Sequence, residues 1–329
     1  MTEHSSPSFA NLADLASSRV GGSAIATNDE FFAAKSNLIK PEPPVFIPGK
    51  YTTRGKWMDG WESRRRRTPG HDWCIVRLGM RGVIRGVNVD TRFFTGNFPS
   101  HCAIDALDSS RLLSPRIYAV EGEPWTTVLA NATLQGDSDN YLAIESERPW
   151  THVRLNIFPD GGVARLRVYG DVVVDWRRLT QGARLVDLAA IEHGGLAIDA
   201  SDMHYGTPNN MIMPGRAKNM GDGWETKRRR GPGYDWAIIR LGAPGVVSRA
   251  EIDTNHFKGN YPDSASLEGR LADGTWTELL PQTKLRAHHR HFVAKQLHVT
   301  PPVSQVRLNI FPDGGISRLR VYGRVATTR

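Results

Sequence analysis

The sequence predicts an all-β protein made of two tandem β-sandwich domains, each an eight-stranded jelly roll. Two observations carry this prediction: the second half of the chain repeats the first, and the legible segments alternate between apolar and polar residues. Alternation with period two sends successive side chains to opposite faces of a strand. Many short strands bounded by Gly, Pro, Asn and Asp are typical of antiparallel sandwiches.

The repeat is visible in long motifs that keep their order along the chain. Three of them are WESRRRRTPGHDWCIVRLG (61–79) with WETKRRRGPGYDWAIIRLG (224–242), VDTRFFTGNFP (89–99) with IDTNHFKGNYP (252–262), and RLNIFPDGG (154–162 and 307–315). The first pair is identical at 13 of 19 positions, and the third is identical throughout. We therefore expect two domains, residues 1–176 and 177–329, each long enough to bury its own core.

The strands are clearest in VRLNIF, where Val153, Leu155 and Ile157 share one face and the residues between them share the other. The same alternation occurs in DWCIVRL, RGVNVDT, ARLRVYG and SRLRVYG. Helical periodicity is scarce. LADLAS (12–17) and LVDLAA (185–190) are the best candidates for single helical turns.

Composition limits the function only loosely. The formal charge is +8 over 329 residues, which would suit a polyanionic partner but speaks mainly to solubility and encounter. No apolar run is long enough to cross a bilayer, and the N-terminus lacks the pattern of a secretory signal. Two cysteines, Cys74 and Cys102, do not make a disulfide framework, so we expect a cytoplasmic protein.

Three repeated loops carry polar residues that packing alone does not require. They contain Glu62, Arg65, Arg66, Arg67 and Asp72 (repeated as Glu225, Arg228, Arg229, Arg230 and Asp235), Asp90 and Asn97 (Asp253 and Asn260), and Asn156 and Asp160 (Asn309 and Asp313). A purely structural explanation exists for each loop. Pro-Asp-Gly-Gly is a turn, Asp-Thr can cap a strand end, and an arginine run often faces water.

The chemical mixture in the arginine loop nevertheless favours a site. Guanidinium groups bind carboxylates in a fork, and a nearby carboxylate can orient an arginine or transfer a proton. A metal site is not indicated, because His288, His289 and His291 have no equivalents in the first half and lack the usual zinc spacing. No cofactor is predicted with certainty, and a divalent metal cannot be read from the sequence. Phosphate-binding, dinucleotide-binding and GxSxG motifs are absent.

The doubled arginine motif, DTxxFxGN and RLNIFPDGG together resemble the allantoicase (allantoate amidinohydrolase) family, from about Gly21 to Gly323. This resemblance implies two jelly-roll domains of the galactose-binding-like type. It also implies hydrolysis of allantoate to ureidoglycolate and urea in purine catabolism. Allantoate carries one carboxylate and two ureido groups on a single carbon. Its hydrolysis therefore needs a cation, hydrogen-bonding groups for the ureido arms, and an acid and a base.

The resemblance and the repetition together select the candidate residues. The catalytic candidates are Asp235, Asp72, His256 and Glu225; the substrate-binding candidates are Arg228, Arg229, Arg230, Arg65, Arg66, Arg67, Asn260, Asn97 and Lys258. Asp72 and Asp235 could instead fix an arginine. His256 replaces Phe93 and is a natural proton shuttle near neutral pH. The sequence leaves open whether one repeat is active or both contribute to one site.

Two other classes of protein remain as alternatives. Sandwiches of this type also serve as non-catalytic, lectin-like binding modules, since a fold does not determine a function. Nucleic-acid binding would suit the net charge and the arginines beside tryptophan, but Glu62 and Asp72 interrupt the run. We expect a small-molecule substrate, a homo-oligomer, and neither a nucleic-acid nor a membrane partner.

Overall fold

The computed structural model describes residues 6–109 and 125–326 of the chain. The chain divides into two compact units, Met1–Val173 and Val174–Arg329. A search of the described residues for a helix long and apolar enough to cross a membrane found none.

Strands are the main regular secondary structure of the first unit. They are β1 (Ala13–Asp14), β2 (Ser23–Thr27), β3 (Tyr51–Thr52), β4 (Gly55–Lys56), β5 (Trp61–Glu62), β6 (Asp72–Asp90), β7 (His101–Leu107), β8 (Thr126–Thr133), β9 (Asp139–Ala143), β10 (Pro149–Phe158), β11 (Gly162–Val163) and β12 (Arg165–Val172). Short 3-10 helices cover Ser8–Asn11, Ser18–Val20 and Lys35–Ile39.

The second unit repeats this order after one short helix, α1 (Trp176–Leu179). Its strands are β13 (Val186–Asp187), β14 (Leu196–Ala200), β15 (Trp224–Glu225), β16 (Asp235–Asp253), β17 (Ser264–Arg270), β18 (Trp276–Lys284), β19 (Arg290–Val293), β20 (Val303–Phe311), β21 (Gly315–Ile316) and β22 (Arg318–Val325). Its 3-10 helices are Gln181–Ala183, Ile191–His193, Pro208–Ile212 and Met220–Asp222.

One long strand in each unit connects the two layers of the sandwich. The first half of β6 pairs with β2 and β10, whereas its second half pairs with β12 and β9. The main sheet therefore runs β1-β12-β6-β10-β7-β8, and the second unit has the same order around β16. Every strand pairing among the described residues is antiparallel. The prediction of an all-β protein with two tandem jelly-roll sandwiches is confirmed.

The core contains the apolar residues that the alternation placed inside. Val153, Leu155 and Ile157 of β10 are fully buried. Trp61 is also fully buried, and its indole nitrogen donates to the carbonyl oxygen of Asp29 at 2.7 Å. This tryptophan begins the arginine motif, so the motif enters the functional loop from a fixed position in the core.

The two predicted helical turns are wrong. LADLAS forms the two-residue strand β1, and LVDLAA forms β13; each is followed by a 3-10 turn. The reason is the central aspartate of each motif. The Asp14 carboxylate accepts hydrogen bonds from the backbone nitrogens of Ala16 and Val168, both at 3.1 Å, and so ties the segment to β12. This side-chain bond to backbone competes with helix formation.

One connection next to the arginine motif differs in length between the repeats. In the first unit the buried Arg165 binds the carbonyl oxygen of Glu42 at 3.0 Å and the carboxylate of Asp59 at 2.7 Å. The equivalent contacts in the second unit join Arg318 to Gly215 and Asp222. Between these shared anchors the first repeat has residues 43–58, and the second has only residues 216–221. We call residues 43–58 the insertion segment.

Candidate active site

A pocket of about 400 Å³ opens in the first unit where the three repeated loops meet. Its volume lies in the range of small-molecule sites. The side chains that matter for its chemistry are Phe32, Glu62, Arg65, Asn97, Phe98 and Asp160. Two are aromatic walls, two are carboxylates, one is an amide and one is a cation.

Glu62 is the partly buried carboxylate of this pocket. The Asn97 amide nitrogen donates to its Oε1 at 2.6 Å. Burial raises the pKa of the Glu62 carboxyl above its ordinary value, while the hydrogen bond from Asn97 and the positive charge of Lys56 act in the opposite direction. A carboxyl with a raised pKa keeps its proton to higher pH and can therefore serve as a general acid.

Arg66 and Asp72 hold each other in the wall behind the pocket. The Arg66 guanidinium donates from Nε and Nη2 to Asp72 Oδ1 at 3.2 and 2.7 Å. Its backbone nitrogen donates to Asp160 Oδ2 at 2.8 Å. Asp72 is buried and also accepts from the Asn28 amide at 3.0 Å. The contacts of Asp72 therefore fit the role of fixing an arginine better than that of a free acid or base.

Arg65 and Arg67 are exposed, and within the described residues neither guanidinium has a hydrogen bond or an ion pair. Arg65 lines the pocket, whereas Arg67 does not. Arg65 is thus the arginine of this loop whose donors are available to an anionic ligand.

The second repeat keeps the same internal contacts. Asn260 donates to Glu225, and Arg229 pairs with the buried Asp235. The Arg229 backbone nitrogen donates to Asp313 at 2.8 Å. Three other predicted cations of this repeat are exposed, and in the described part of the chain they have no hydrogen-bond or ion-pair partner. They are Arg228, Arg230 and Lys258.

His256 is directed towards the backbone of a neighbouring segment. Its Nε2 lies 2.9 Å from the carbonyl oxygen of Ala217. Its own backbone adopts φ of 71°, close to the 69° of the equivalent Phe93. Across residues 6–109 and 125–326, no hydrogen bond joins His256 to Glu225 or Asp235.

The histidine cluster of the second repeat accepts backbone hydrogen bonds. His288 Nδ1 accepts from the His256 nitrogen at 2.8 Å, and His291 Nε2 accepts from the Arg286 nitrogen at 2.9 Å. The corresponding acceptors in the first repeat are Asp137 and Asn140. Burial lowers the pKa of His291, which favours the neutral ring. The described residues contain no group of three His, Cys, Asp or Glu that could hold a metal ion.

Three of the predicted residues meet in the pocket: Arg65, Arg66 and Asn97, with Asp72 behind them. Sequence reasoning selected Glu225 as a catalytic candidate and omitted its equivalent, Glu62. The repeat itself contained the missing signal, because the two glutamates occupy the same motif position. The aromatic walls Phe32 and Phe98 were also missed, since nothing in their local sequence separates them from core residues.

The fold and the pocket together define the class: a tandem jelly-roll protein whose small polar pocket suits a carboxylate-bearing ligand. The family model for the allantoicase repeat matches twice, at residues 13–173 and 186–326. The chain belongs to the allantoicase family.

Individual relatives agree over nearly the whole chain. A probable allantoicase of Pseudomonas paraeruginosa is 51% identical, with 96% of this chain and 97% of that protein covered. A probable allantoicase 2 of Burkholderia pseudomallei is 50% identical, with 97% and 95% covered. The crystal structure of allantoicase from Saccharomyces cerevisiae is 34% identical with a TM-score of 0.80, and 94% of this chain and 92% of that chain are covered.

Proposed function

We propose that this protein hydrolyses allantoate to ureidoglycolate and urea in purine catabolism, and that the reaction takes place in the first-repeat pocket. The proposed activity is supported by membership of the allantoicase family. One observation supports the location: a carboxyl of raised pKa, an amide and an unpaired arginine lie around a single pocket in the described part of the first unit.

In this proposal Arg65 binds the substrate carboxylate, since a guanidinium fork matches a carboxylate with two parallel hydrogen bonds. Asn97 and Glu62 then face the central carbon and its ureido groups. The aromatic rings of Phe32 and Phe98 displace water from the pocket walls. Exclusion of water strengthens the electrostatic interactions with the substrate.

The reaction breaks the bond between the central carbon and one ureido nitrogen. The lone pair of the remaining ureido nitrogen assists its departure, while protonated Glu62 donates its proton to the departing nitrogen, so that neutral urea leaves. Water then adds to the same carbon, and the Glu62 carboxylate accepts its proton. Glu62 thus acts first as a general acid and then as a general base, ending in its original state.

Two aspartates near Glu62 keep the arginine loop in position. Asp72 holds the Arg66 side chain, and Asp160 holds the Arg66 backbone nitrogen. We assign both aspartates to positioning, because one oxygen of each accepts a hydrogen bond from Arg66. Such fixed donors and acceptors keep a site ready for substrate.

The lectin-like alternative has weaker support, because relatives that match nearly the whole chain are allantoicases. We further propose a homo-oligomer without a nucleic-acid or membrane partner, located in the cytoplasm. Light scattering of the purified protein measures the first of these, and a single monomeric mass would contradict it.

The activity and its location are tested by incubating the purified protein with allantoate and measuring urea. We expect urea release from the wild-type protein. Arg65→Ala should raise KM about 10- to 100-fold, because a hydrogen bond to a charged group contributes about 1.5–3 kcal/mol. Arg67→Ala, which alters an arginine outside the pocket, is the matched control. Folded wild-type protein that releases no urea, with or without added divalent metal, would contradict the proposal.

A further inference from the structure

Ser100 lines the first-repeat pocket, and its backbone is hydrogen-bonded on both sides. It directly precedes β7, which begins at His101. The Ser100 nitrogen donates to the carbonyl oxygen of Phe158 at 3.1 Å, and the Ser100 carbonyl oxygen accepts from the Leu134 nitrogen at 2.9 Å. Phe158 ends β10, and Leu134 directly follows β8. The backbone that carries this hydroxyl is therefore anchored to two other strands of the sheet.

The Ser100 hydroxyl also has a fixed orientation, because its two neighbours determine where its proton lies. Its Oγ lies 3.0 Å from the Phe158 carbonyl oxygen and 2.9 Å from His101 Nδ1. A carbonyl oxygen only accepts, so the hydroxyl donates to Phe158, and Nδ1 is the protonated ring nitrogen that donates to Oγ. A hydroxyl oxygen accepts two hydrogen bonds. One acceptor position of Oγ remains, and across residues 6–109 and 125–326 no other group binds there.

This acceptor position matches the chemistry of a ureido group. A ureido arm ends in an amino group, which donates two hydrogen bonds and accepts none. In the proposed reaction the inner nitrogen of the departing arm receives the proton of Glu62, so the terminal amino group is the donor that still needs an acceptor. An acceptor held in place also confers selectivity, because a ligand without the matching N–H leaves it unpaired.

We propose that Ser100 is a specificity-determining residue of the first-repeat pocket. Its Oγ accepts a hydrogen bond from the terminal amino group of a ureido ligand, and His101 is a positioning residue that acts through Ser100. This inference rests on the proposed location of the active site. In the second repeat Asp263 and Ser264 occupy the equivalent positions, and Asp263 is engaged with Lys284. The pair of hydroxyl and imidazole is therefore a feature of the first repeat.

Titration calorimetry with two acids that differ at one group tests the role of Ser100. N-carbamoylglycine ends in an amino group, and N-acetylglycine has a methyl group in its place. Both keep the carboxylate, the carbonyl oxygen and the inner N–H. We expect the wild type to prefer the carbamoyl compound, and Ser100→Ala to lower this affinity ratio about two- to tenfold, the range for one neutral hydrogen bond. Asp263→Ala, the matched change in the second repeat, should leave the ratio unchanged.

Two variants of His101 test its positioning role. The amide nitrogen of asparagine can donate to Oγ in place of Nδ1, whereas leucine has no donor. We expect His101→Leu to lower the affinity ratio about twofold, the lower end for one hydrogen bond, and His101→Asn to retain most of it. A histidine that only supports the loop would weaken the binding of both acids alike. That result, or a wild-type ratio in His101→Leu, would overturn its positioning role.

The outcomes separate this inference from the proposed reaction. The role of Ser100 is overturned by an unchanged ratio in folded Ser100→Ala, or by an equal loss of affinity for both acids in that variant. It is also overturned by a wild-type protein that binds the two acids equally or binds neither. A wild-type protein that prefers N-carbamoylglycine, with the preference reduced in Ser100→Ala, but releases no urea from allantoate would contradict the reaction and leave the role of Ser100 standing.

Discussion

The loop clusters of the two repeats share their internal contacts and differ in their walls. Both have an arginine held by a buried aspartate and a glutamate held by an asparagine. The wall positions differ: Phe32, Phe98 and Ser100 of the first repeat correspond to Tyr205, Tyr261 and Asp263 of the second. Asp263 pairs with Lys284, and in the second repeat the shorter stretch 216–221 occupies the place of the insertion segment.

The comparison distinguishes contacts that shape the loops from features that bear on the reaction. The aspartate–arginine contacts of Asp72 and Asp235, which both copies keep, are explained by the need to fold the same loop. The first copy differs from the second in its two phenylalanine walls and in the longer insertion segment. An apolar wall lowers the local dielectric and strengthens the interaction of a substrate with nearby charges. We therefore assign catalysis to the first copy.

The strongest test of this assignment compares Glu62→Gln with Glu225→Gln. Glutamine keeps the size of the side chain but can neither donate the acidic proton nor accept one from water. General acid–base catalysis contributes about 100- to 10,000-fold, so Glu62→Gln should lower kcat by that factor. Glu225→Gln should change kcat by less than about twofold, as expected for a residue away from the reaction. Urea release and thermal unfolding of both variants are the measurements.

If the two glutamates exchange roles in this experiment, the active site lies in the second repeat. Equal large losses, with both variants folded, would show that both copies are needed for turnover. Either result would break the assignment to the first copy, whatever the identity of the substrate.

A smaller effect is expected in the pH dependence. Glu62 must carry its proton when the leaving nitrogen departs, so kcat/KM should fall as pH rises through its pKa. Asn97→Leu removes a hydrogen bond that favours the charged form, and the falling limb should move to higher pH by about half a unit to one unit. Asn260→Leu, the matched change in the second repeat, should leave the limb in place. A limb that moves to lower pH in Asn97→Leu would contradict the role of Glu62.

The same pKa has a consequence for stability. The folded-state pKa of Glu62 lies above its unfolded value, so its contribution to stability is complete below the unfolded value and is lost as pH rises through the folded one. Asn97→Leu should shift this loss to higher pH in the same direction as the kinetic limb.

The fold was predictable from sequence because its signal is repeated and periodic. Val153, Leu155 and Ile157 alternate with polar residues, and alternation needs no tertiary information. The prediction of helical turns was wrong because tertiary contacts decide the structure there. Asp14 accepts a hydrogen bond from a backbone nitrogen of β12, which is far away in sequence. Local propensity is overridden at such positions.

The site was predictable only as a set of loops. Consecutive arginines of an irregular loop have no periodicity, so nothing in the sequence distinguishes Arg65, which faces the pocket, from Arg66, which pairs with Asp72. The insertion segment appears in the sequence as a difference in length between the repeats. Its position beside the pocket depends on contacts such as that of Phe46 with Phe93, which only the structure reveals.

The smallest predicted effect concerns His71 and Tyr234, which follow the Pro-Gly of the two arginine motifs. His71 and Tyr234 occupy equivalent positions and stack similarly, with centroid distances of 4.7 Å to Phe158 and 4.9 Å to Phe311. His71 Nε2 lies 3.2 Å from the amide oxygen of Asn156. The Asn156 nitrogen already donates to Asp105, so Nε2 must be the protonated ring nitrogen and the donor.

In the second repeat the buried amide oxygen of Asn309 has no hydrogen-bond partner among the described residues. A histidine at position 234, stacked as His71 is, would donate to it. Tyr234→His should therefore raise the free energy of unfolding by about 1 kcal/mol, the usual net contribution of one hydrogen bond. His71→Tyr should lower it by about 1–3 kcal/mol, because it leaves the Asn156 oxygen buried and unpaired. Chemical denaturation measures the free energy of unfolding of both variants. Equal stability of the wild type and the two variants would show that this polar difference between the repeats does not affect stability.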